Sequence, residues 1–186
     1  MAKKRNWKKV ITLVLLGMMV VGFSIPAFLD PTATTAVVQS GQKLCQVDSD
    51  CYLLCGDSPV EVLCSQNLCL QDSCDDNFYF KYQKEPLTFS LLVEVDGVIV
   101  DMEERSSAGD MFVRFENSEA AIFSSGLSMR HILEKAKINL NLQCLTFDGN
   151  SYCDSEKLKM AVNGNESNLF ESYIPKDGDV VEIVYS

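Results

Sequence analysis

The sequence predicts an α+β protein: an N-terminal transmembrane helix, a small disulfide-rich module, and a β-rich domain whose sheet packs on one amphipathic helix. Three observations carry that expectation. Val10 to Leu29 is an uncharged run of 20 residues behind a basic flank. Six of the 8 cysteines fall between Cys45 and Cys74. After Asp76 apolar and polar residues alternate, and the period switches to that of a helix once, from Met129 to Ala136.

The N-terminal run follows Lys3, Lys4, Arg5, Lys8 and Lys9, and no acid precedes Asp30. As a helix it spans about 30 Å, the thickness of a bilayer's hydrocarbon core. Basic flanks stay on the cytoplasmic side, so the chain beyond Leu29 belongs outside the cytoplasm. A cleaved secretory signal is the competing reading. The run is longer than the usual h-region of about 7–15 residues. The A-x-A pattern is also missing, because Ile25 stands two positions before Ala27 and Thr34 two before Ala36. The reading adopted is a basic flank and membrane anchor over residues 1–29. A small, polar linker follows over 30–42, then the disulfide-rich module over 43–77 and the β-rich domain over 78–186.

Charge narrows the partners. Five of the 16 basic residues lie in the flank, which leaves 11 against 26 acids in the exported part, a net −15. Such a surface repels nucleic acid and anionic headgroups. No basic stripe with interleaved aromatics offsets it, and a nucleic-acid partner is disfavoured.

The cysteines read as a disulfide framework in an oxidising compartment. They are Cys45, Cys51, Cys55, Cys64, Cys69 and Cys74, with Cys144 and Cys153 further on. The first six allow 15 pairings, which stay open. The segment holding them has too few large apolar residues for a core of its own, so bridges are needed. Cys144 and Cys153 flank the turn-rich F-D-G-N-S-Y and are expected to staple a hairpin. A metal or redox site would use C-x-x-C, which occurs nowhere in the chain. Asp48 and Asp50, or Asp148 and Asn150, read as turn residues, because the full calcium loop with its distal Glu is absent.

In the β-rich part Leu87, Phe89, Leu91, Val93 and Val95 alternate with more polar residues, as on a half-buried strand. Asp96-Gly97 then predicts a hairpin into Val98–Val100. A second pair spans Met111–Glu116 and Ala120–Phe123, turning near Asn117-Ser118. Met129, Ile132, Leu133 and Ala136 recur at helical spacing, with Ser128 as N-cap and Lys135 and Lys137 near the end of a helix of about ten residues. Strands resume at Leu140–Phe147, Lys157–Val162 and Val180–Tyr185, with turns at Asn163-Gly164 and Asp177-Gly178.

Three stretches carry a resemblance. G-L-S-M-R-H-I-L-E-K-A-K-I (Gly126–Ile138), M-A-V-N-G (Met160–Gly164) and Y-I-P-K-D-G-D-V-V-E-I-V-Y (Tyr173–Tyr185) resemble the β-grasp, or ubiquitin-like, superfamily. The nearest branch is an exported one similar to the C-terminal domain of cobalamin carriers. The resemblance covers about residues 111–186. It implies a hairpin leading into a helix and a central final strand introduced by a Gly-Asp turn. The chain ends Val184-Tyr185-Ser186 and not Gly-Gly, so the activated-carboxylate chemistry of sulfur carriers is not implied. The four-cysteine loop of the ferredoxin branch is also missing. As a whole the chain resembles small single-pass exported membrane proteins common in archaea.

Candidate sites are few. His131 falls off the apolar stripe of its helix and is expected to face solvent. Asp101, Glu103 and Glu104 read as a solvated acidic loop. Ser124-Ser125-Gly126 lacks the G-x-S-x-G elbow and reads as the lead-in to the helix. Asn165-Glu166-Ser167 is an N-glycosylation acceptor triplet. Phe78, Tyr79, Phe80 and Tyr82 are expected to pack the cysteine module onto the β domain, an exposed partner-binding patch being the alternative. No residue is singled out as catalytic, cofactor-binding or metal-ligating. The sequence therefore points to a non-enzymatic, membrane-anchored module that binds an envelope protein or another extracytoplasmic ligand. Small-molecule capture is the first alternative, and cysteine-based metal or redox work the second.

Overall fold

The computed structural model describes residues 43–74 and 79–186. The basic flank, the apolar run and the linker lie outside the described residues, as does Phe78. Among the described residues no helix is long and apolar enough to cross a membrane.

The cysteine-rich part opens with a 3-10 turn at Asp48–Asp50. Two short hairpins follow: β1 (Tyr52–Cys55) with β2 (Ser58–Glu61), and β3 (Cys64–Ser65) with β4 (Leu68–Cys69). The bridges are Cys45–Cys64, Cys51–Cys69 and Cys55–Cys74. The small core here is Cys45, Cys51, Val62, Cys64 and Cys69, with Leu53 against it. Sulfur thus fills the space that Leu or Ile would fill in a larger domain. Leu63 points the other way, into the main core, and is 1% exposed.

The β-rich part builds β5 (Leu87–Val95), β6 (Val98–Ile99), β7 (Val113–Glu116), β8 (Glu119–Ile122), α1 (Met129–Lys135), β9 (Asn139–Leu140), β10 (Cys144–Phe147), β11 (Asn150–Cys153), β12 (Leu158–Val162), β13 (Asn165–Glu166) and β14 (Val180–Tyr185). Seven of the strands form one sheet in the order β13-β12-β14-β5-β8-β7, with β6 against the second half of β5. At its centre β14 runs parallel to β5, from Val180 opposite Ser90 to Tyr185 opposite Val95. A smaller sheet, β11-β10-β9, carries Cys144 directly opposite Cys153, and these two are bridged. The expected hairpin staple is therefore present.

Local chemistry accounts for most of these elements. Asp96-Gly97, Asn117-Ser118, Asp148-Gly149 and Asn163-Gly164 all take positive φ, as the two-residue turns between twisted strands require. The buried face of β5 is Phe89, Leu91, Val93 and Val95, and α1 buries Met129, Ile132 and Leu133, with Ala136 just beyond. The space between sheet and helix is filled by these side chains and by Phe112, Leu127, Leu145, Met160, Val181 and Ile183.

Three expectations are corrected. The helix stops at Lys135 because Lys137 turns to φ 57°, with Lys137 N–H returning to Glu134 O and Ile138 N–H to Leu133 O. That is a Schellman closure with lysine in the position glycine usually takes. The strand expected over Leu140–Phe147 is two strands, because Asn141 Oδ1 accepts the N–H groups of Gln143 and Cys144 at 2.8 Å and turns the chain. His131 is half-buried, not solvent-facing. Its Nδ1 accepts the Ser128 N–H at 3.3 Å, completing a capping box, and its ring meets Phe80 edge-on at 5.0 Å. Burial lowers its pKa.

The motif stretches around Asn163, Tyr173 and Asp179 form one polar knot. Asp179 accepts from Tyr173 Oη at 2.6 Å, Lys176 N–H at 2.8 Å and Asn163 Nδ2 at 2.9 Å, while Asn163 Oδ1 accepts from Val180 N–H at 2.9 Å. Burial works against the Asp179 charge, but these donors outweigh it and hold the carboxyl below the usual carboxylate range. Burial, with the bond to Asp179, pushes the Tyr173 hydroxyl up to about 12. A carboxyl depressed in the folded state contributes stability above its unfolded pKa and loses it as pH falls through the folded value. Asp179→Asn should therefore cost about 1–3 kcal/mol at neutral pH. It should also flatten the acid limb of stability against pH, measured by urea unfolding across the carboxylate range.

Candidate functional site

Two constellations stand out, and only parts of each were visible in the sequence. The first is a buried charge cluster where the cysteine-rich turn meets the helix. Lys135 ends α1, and its Nζ lies 2.6 Å from Asp48 Oδ1, 2.7 Å from Cys64 O and 3.4 Å from Asp110 Oδ1. The three side chains are 5%, 0% and 6% exposed for Lys135, Asp48 and Asp110. Asp48 also accepts three backbone donors: Cys64 N–H at 2.9 Å on Oδ1, and Met111 N–H at 2.9 Å and Phe112 N–H at 3.1 Å on Oδ2. Burial pushes the Asp110 carboxyl up; the Lys135 ammonium opposes this and the Asp48 charge adds to it. Next to the cluster Glu134 accepts from Ser65 Oγ at 2.7 Å and from Gln66 N–H.

From the sequence Asp48 and Asp50 are both expected to be turn residues. Asp50 is one: its Oδ2 accepts from Gln46 and Val47 N–H. Asp48 is instead the acceptor on which three other chain segments converge. Its partners lie 16 to 87 residues away, so no local spacing could announce it.

The second constellation is an open groove of about 750 Å³ between β6 and the β10–β11 hairpin. Its floor carries Val98 and Ile99, which are 67% and 62% exposed. One wall is aromatic: Phe147 and Tyr152 stack at 5.4 Å, and Tyr152 meets Tyr185 at 5.4 Å. Arg105 lies over Phe147, 5.0 Å from the ring centroid, and is bidentate to Asp148 at 2.7 and 2.5 Å. The Arg105 bond holds the Asp148 carboxyl low. With that pair closed on itself, the rim charges are Asp96, Asp101 and Glu104 against Lys137. Asp101 also accepts from the N–H groups of Glu103 and Glu104, so the acidic run is an exposed turn as expected, and it borders the groove.

The remaining sequence candidates are dispersed. Phe80 and Tyr82 pack on the main core, with Tyr82 between Phe112 and Phe123, whereas Tyr79 is 80% exposed. Asn165 lies exposed in β13, at the edge of the sheet, and its Nδ2 donates to Asn163 O at 3.2 Å. The eight cysteines are all in disulfides. Cys45, Cys51 and Cys69 bring their sulfurs together, but each is already bonded to another sulfur. No family model matches the chain, and no curated protein or solved structure is significantly similar to it.

Truncating Asp48 leaves Lys135 buried without its nearest counter-charge and three backbone donors without an acceptor. Asp48→Ala should cost about 3–5 kcal/mol. Urea unfolding of the disulfide-intact protein, compared with Asp50→Ala at the exposed end of the same turn, measures it.

Proposed function

We propose that the protein is a single-pass, membrane-anchored module that works outside the cytoplasm and binds a partner without catalysing a reaction. The groove beside β6 carries this reading. It sets exposed aliphatic side chains against an aromatic wall and rims them with more acid than base. That chemistry suits a basic, partly apolar segment of an envelope protein, and it agrees with an exported part of net charge −15. Four disulfides favour an oxidising compartment. The anchor reading rests on the basic flank and the apolar run.

The domain is read as β-grasp-like. Its support is the central parallel pair β5 and β14, with α1 between them in the chain and the final strand introduced by the Gly178-Asp179 turn. On that reading the core begins at Leu87 and not at Met111. Small-molecule capture would have to use a surface pocket such as this groove, because side chains fill the interior between sheet and helix. Asn165, exposed at the sheet edge, is the proposed glycan acceptor.

A photo-crosslinking residue in place of Ile99, in native membranes, should give one discrete adduct. Val98→Lys with Asp101→Lys should reduce that adduct by about tenfold, the equivalent of 1.4 kcal/mol. The same crosslinker at Glu166, on the far edge of the sheet, should give none. A smear of adducts, or an adduct unaffected by the charge reversal, would overturn the groove as the binding surface.

A further inference from the structure

We propose that Lys135 and Asp48 become joined by an intramolecular isopeptide bond, an amide between Lys135 Nζ and Asp48 Cγ formed with loss of one water, and that Asp110 relays the protons.

Three features of the buried cluster set it apart from a plain ion pair. The first is proximity. Nζ lies 2.6 Å from Asp48 Oδ1, so amine and carboxyl are already in contact, and holding reactants together removes much of the entropic part of a barrier. Lys135 ends a helix packed on the core, and Cys64, which accepts from Nζ and donates to Asp48, is bridged to Cys45, so both reactants are held. The second is the set of donors on Asp48. Backbone N–H groups of Met111, Phe112 and Cys64 converge on its two oxygens, where charge develops when an amine adds to the carbonyl carbon. The third is stoichiometry. One ammonium faces two carboxyls, and burial pushes the Asp110 carboxyl up. A structural pair needs no second carboxyl within 3.4 Å of the amine, whereas a condensation needs a group there that can carry protons.

The steps balance without any outside reagent. The Lys135 ammonium passes a proton to the Asp48 carboxylate, giving a neutral amine and a neutral acid; in a water-poor site this exchange removes two buried charges. The amine electron pair adds to Cγ, the N–C bond forms, and the carbonyl oxygen takes the negative charge among the N–H donors. Asp110 gives its proton to the departing hydroxyl, the C–O bond breaks, and water leaves. Asp110 then recovers a proton from Nζ and ends as it began. Nothing is oxidised or reduced, and the net charge is unchanged. An opening of about 370 Å³ lined by Gln46, Val47, Ser107, Asp110 and Lys135 lets the water out. The product ties the cysteine-rich turn to the helix across 87 residues of chain, with a bond that no reductant cleaves.

The test is peptide mapping of the full-length protein purified from membranes, reduced and alkylated before digestion. The expected result is a linked pair of peptides, one holding Asp48 and one holding Lys135. Its mass should equal their sum less one water, with fragmentation that places the bond at those residues. Asp110→Asn keeps the shape and should slow bond formation by about 10²–10⁴. It should leave the linear peptides dominant in freshly made protein whose four disulfides are closed. Linear Asp48 and Lys135 peptides in the wild-type protein, with its disulfides intact, would overturn the proposal. So would a bond mapped to Asp110, and an Asp110→Asn protein that links as fast as wild type would remove Asp110 from its role.

Discussion

A deeply buried ammonium is tolerable only beside an anion, and the anion only beside enough donors. Lys135 and Asp48 satisfy that demand together, and the solution constrains everything near them. Asp48 draws donors from Cys64 in β3 and from Met111 and Phe112 ahead of β7, as well as from the end of α1. Three segments distant in sequence are thereby fixed to one carboxylate. Leu63 enters the main core because Cys64 beside it is held there. The loop before β7 lies so close to the cysteine-rich turn that a Cβ on Gly109 would sit 2.7 Å from Val47 Cγ2. Glycine at that position is a condition of the same docking, not of a turn.

Sulfur has two parts in this arrangement. The first cysteine pairs with the fourth, the second with the fifth and the third with the sixth, so the closed loops of 18 or 19 residues overlap. Each such loop is worth about 3 kcal/mol through the unfolded ensemble. Four of the five residues in the small core are half-cystines, so the same bridges also provide its apolar volume. A segment this short could not hold Asp48 in place by packing alone. The bridges make the turn rigid enough for its carboxylate to act as a fixed partner for Lys135.

What the sequence disclosed and what it hid follow from range. Strand alternation over Leu87–Val95, the helical spacing from Met129, and turns such as Asp96-Gly97 and Asn163-Gly164 are local, and each lies where its pattern put it. The two corrections to element length come from single polar or strained residues, Asn141 and Lys137, whose effect no period records. His131 reads as off-stripe because the helix alone does not supply Phe80 or the capping role at Ser128. Lys135 looks like an ordinary cation at a helix C-terminus, and Asp48 like one of two turn acids. Their significance is a distance between residues 87 positions apart. The groove is equally non-local: Ile99, Phe147 and Tyr152 come from three separate strands and Arg105 from the loop after β6.

The residues that carry the β-grasp resemblance are, in this molecule, occupied with architecture. Asn163, Tyr173 and Asp179 bond to one another and to the start of β14, and Asp177 accepts from Thr88 N–H at the start of β5. They hold the central parallel pair in register, so the likeness they support concerns how the sheet closes. None of them lines the groove or touches the charge cluster. Most of the side chains able to recognise or to react lie outside the three motif stretches, Lys135 and Lys137 in the helical stretch being the exceptions. A likeness carried by such residues speaks to fold and not to function. In this chain the specific chemistry is to be sought in Asp48, Asp110 and the groove residues.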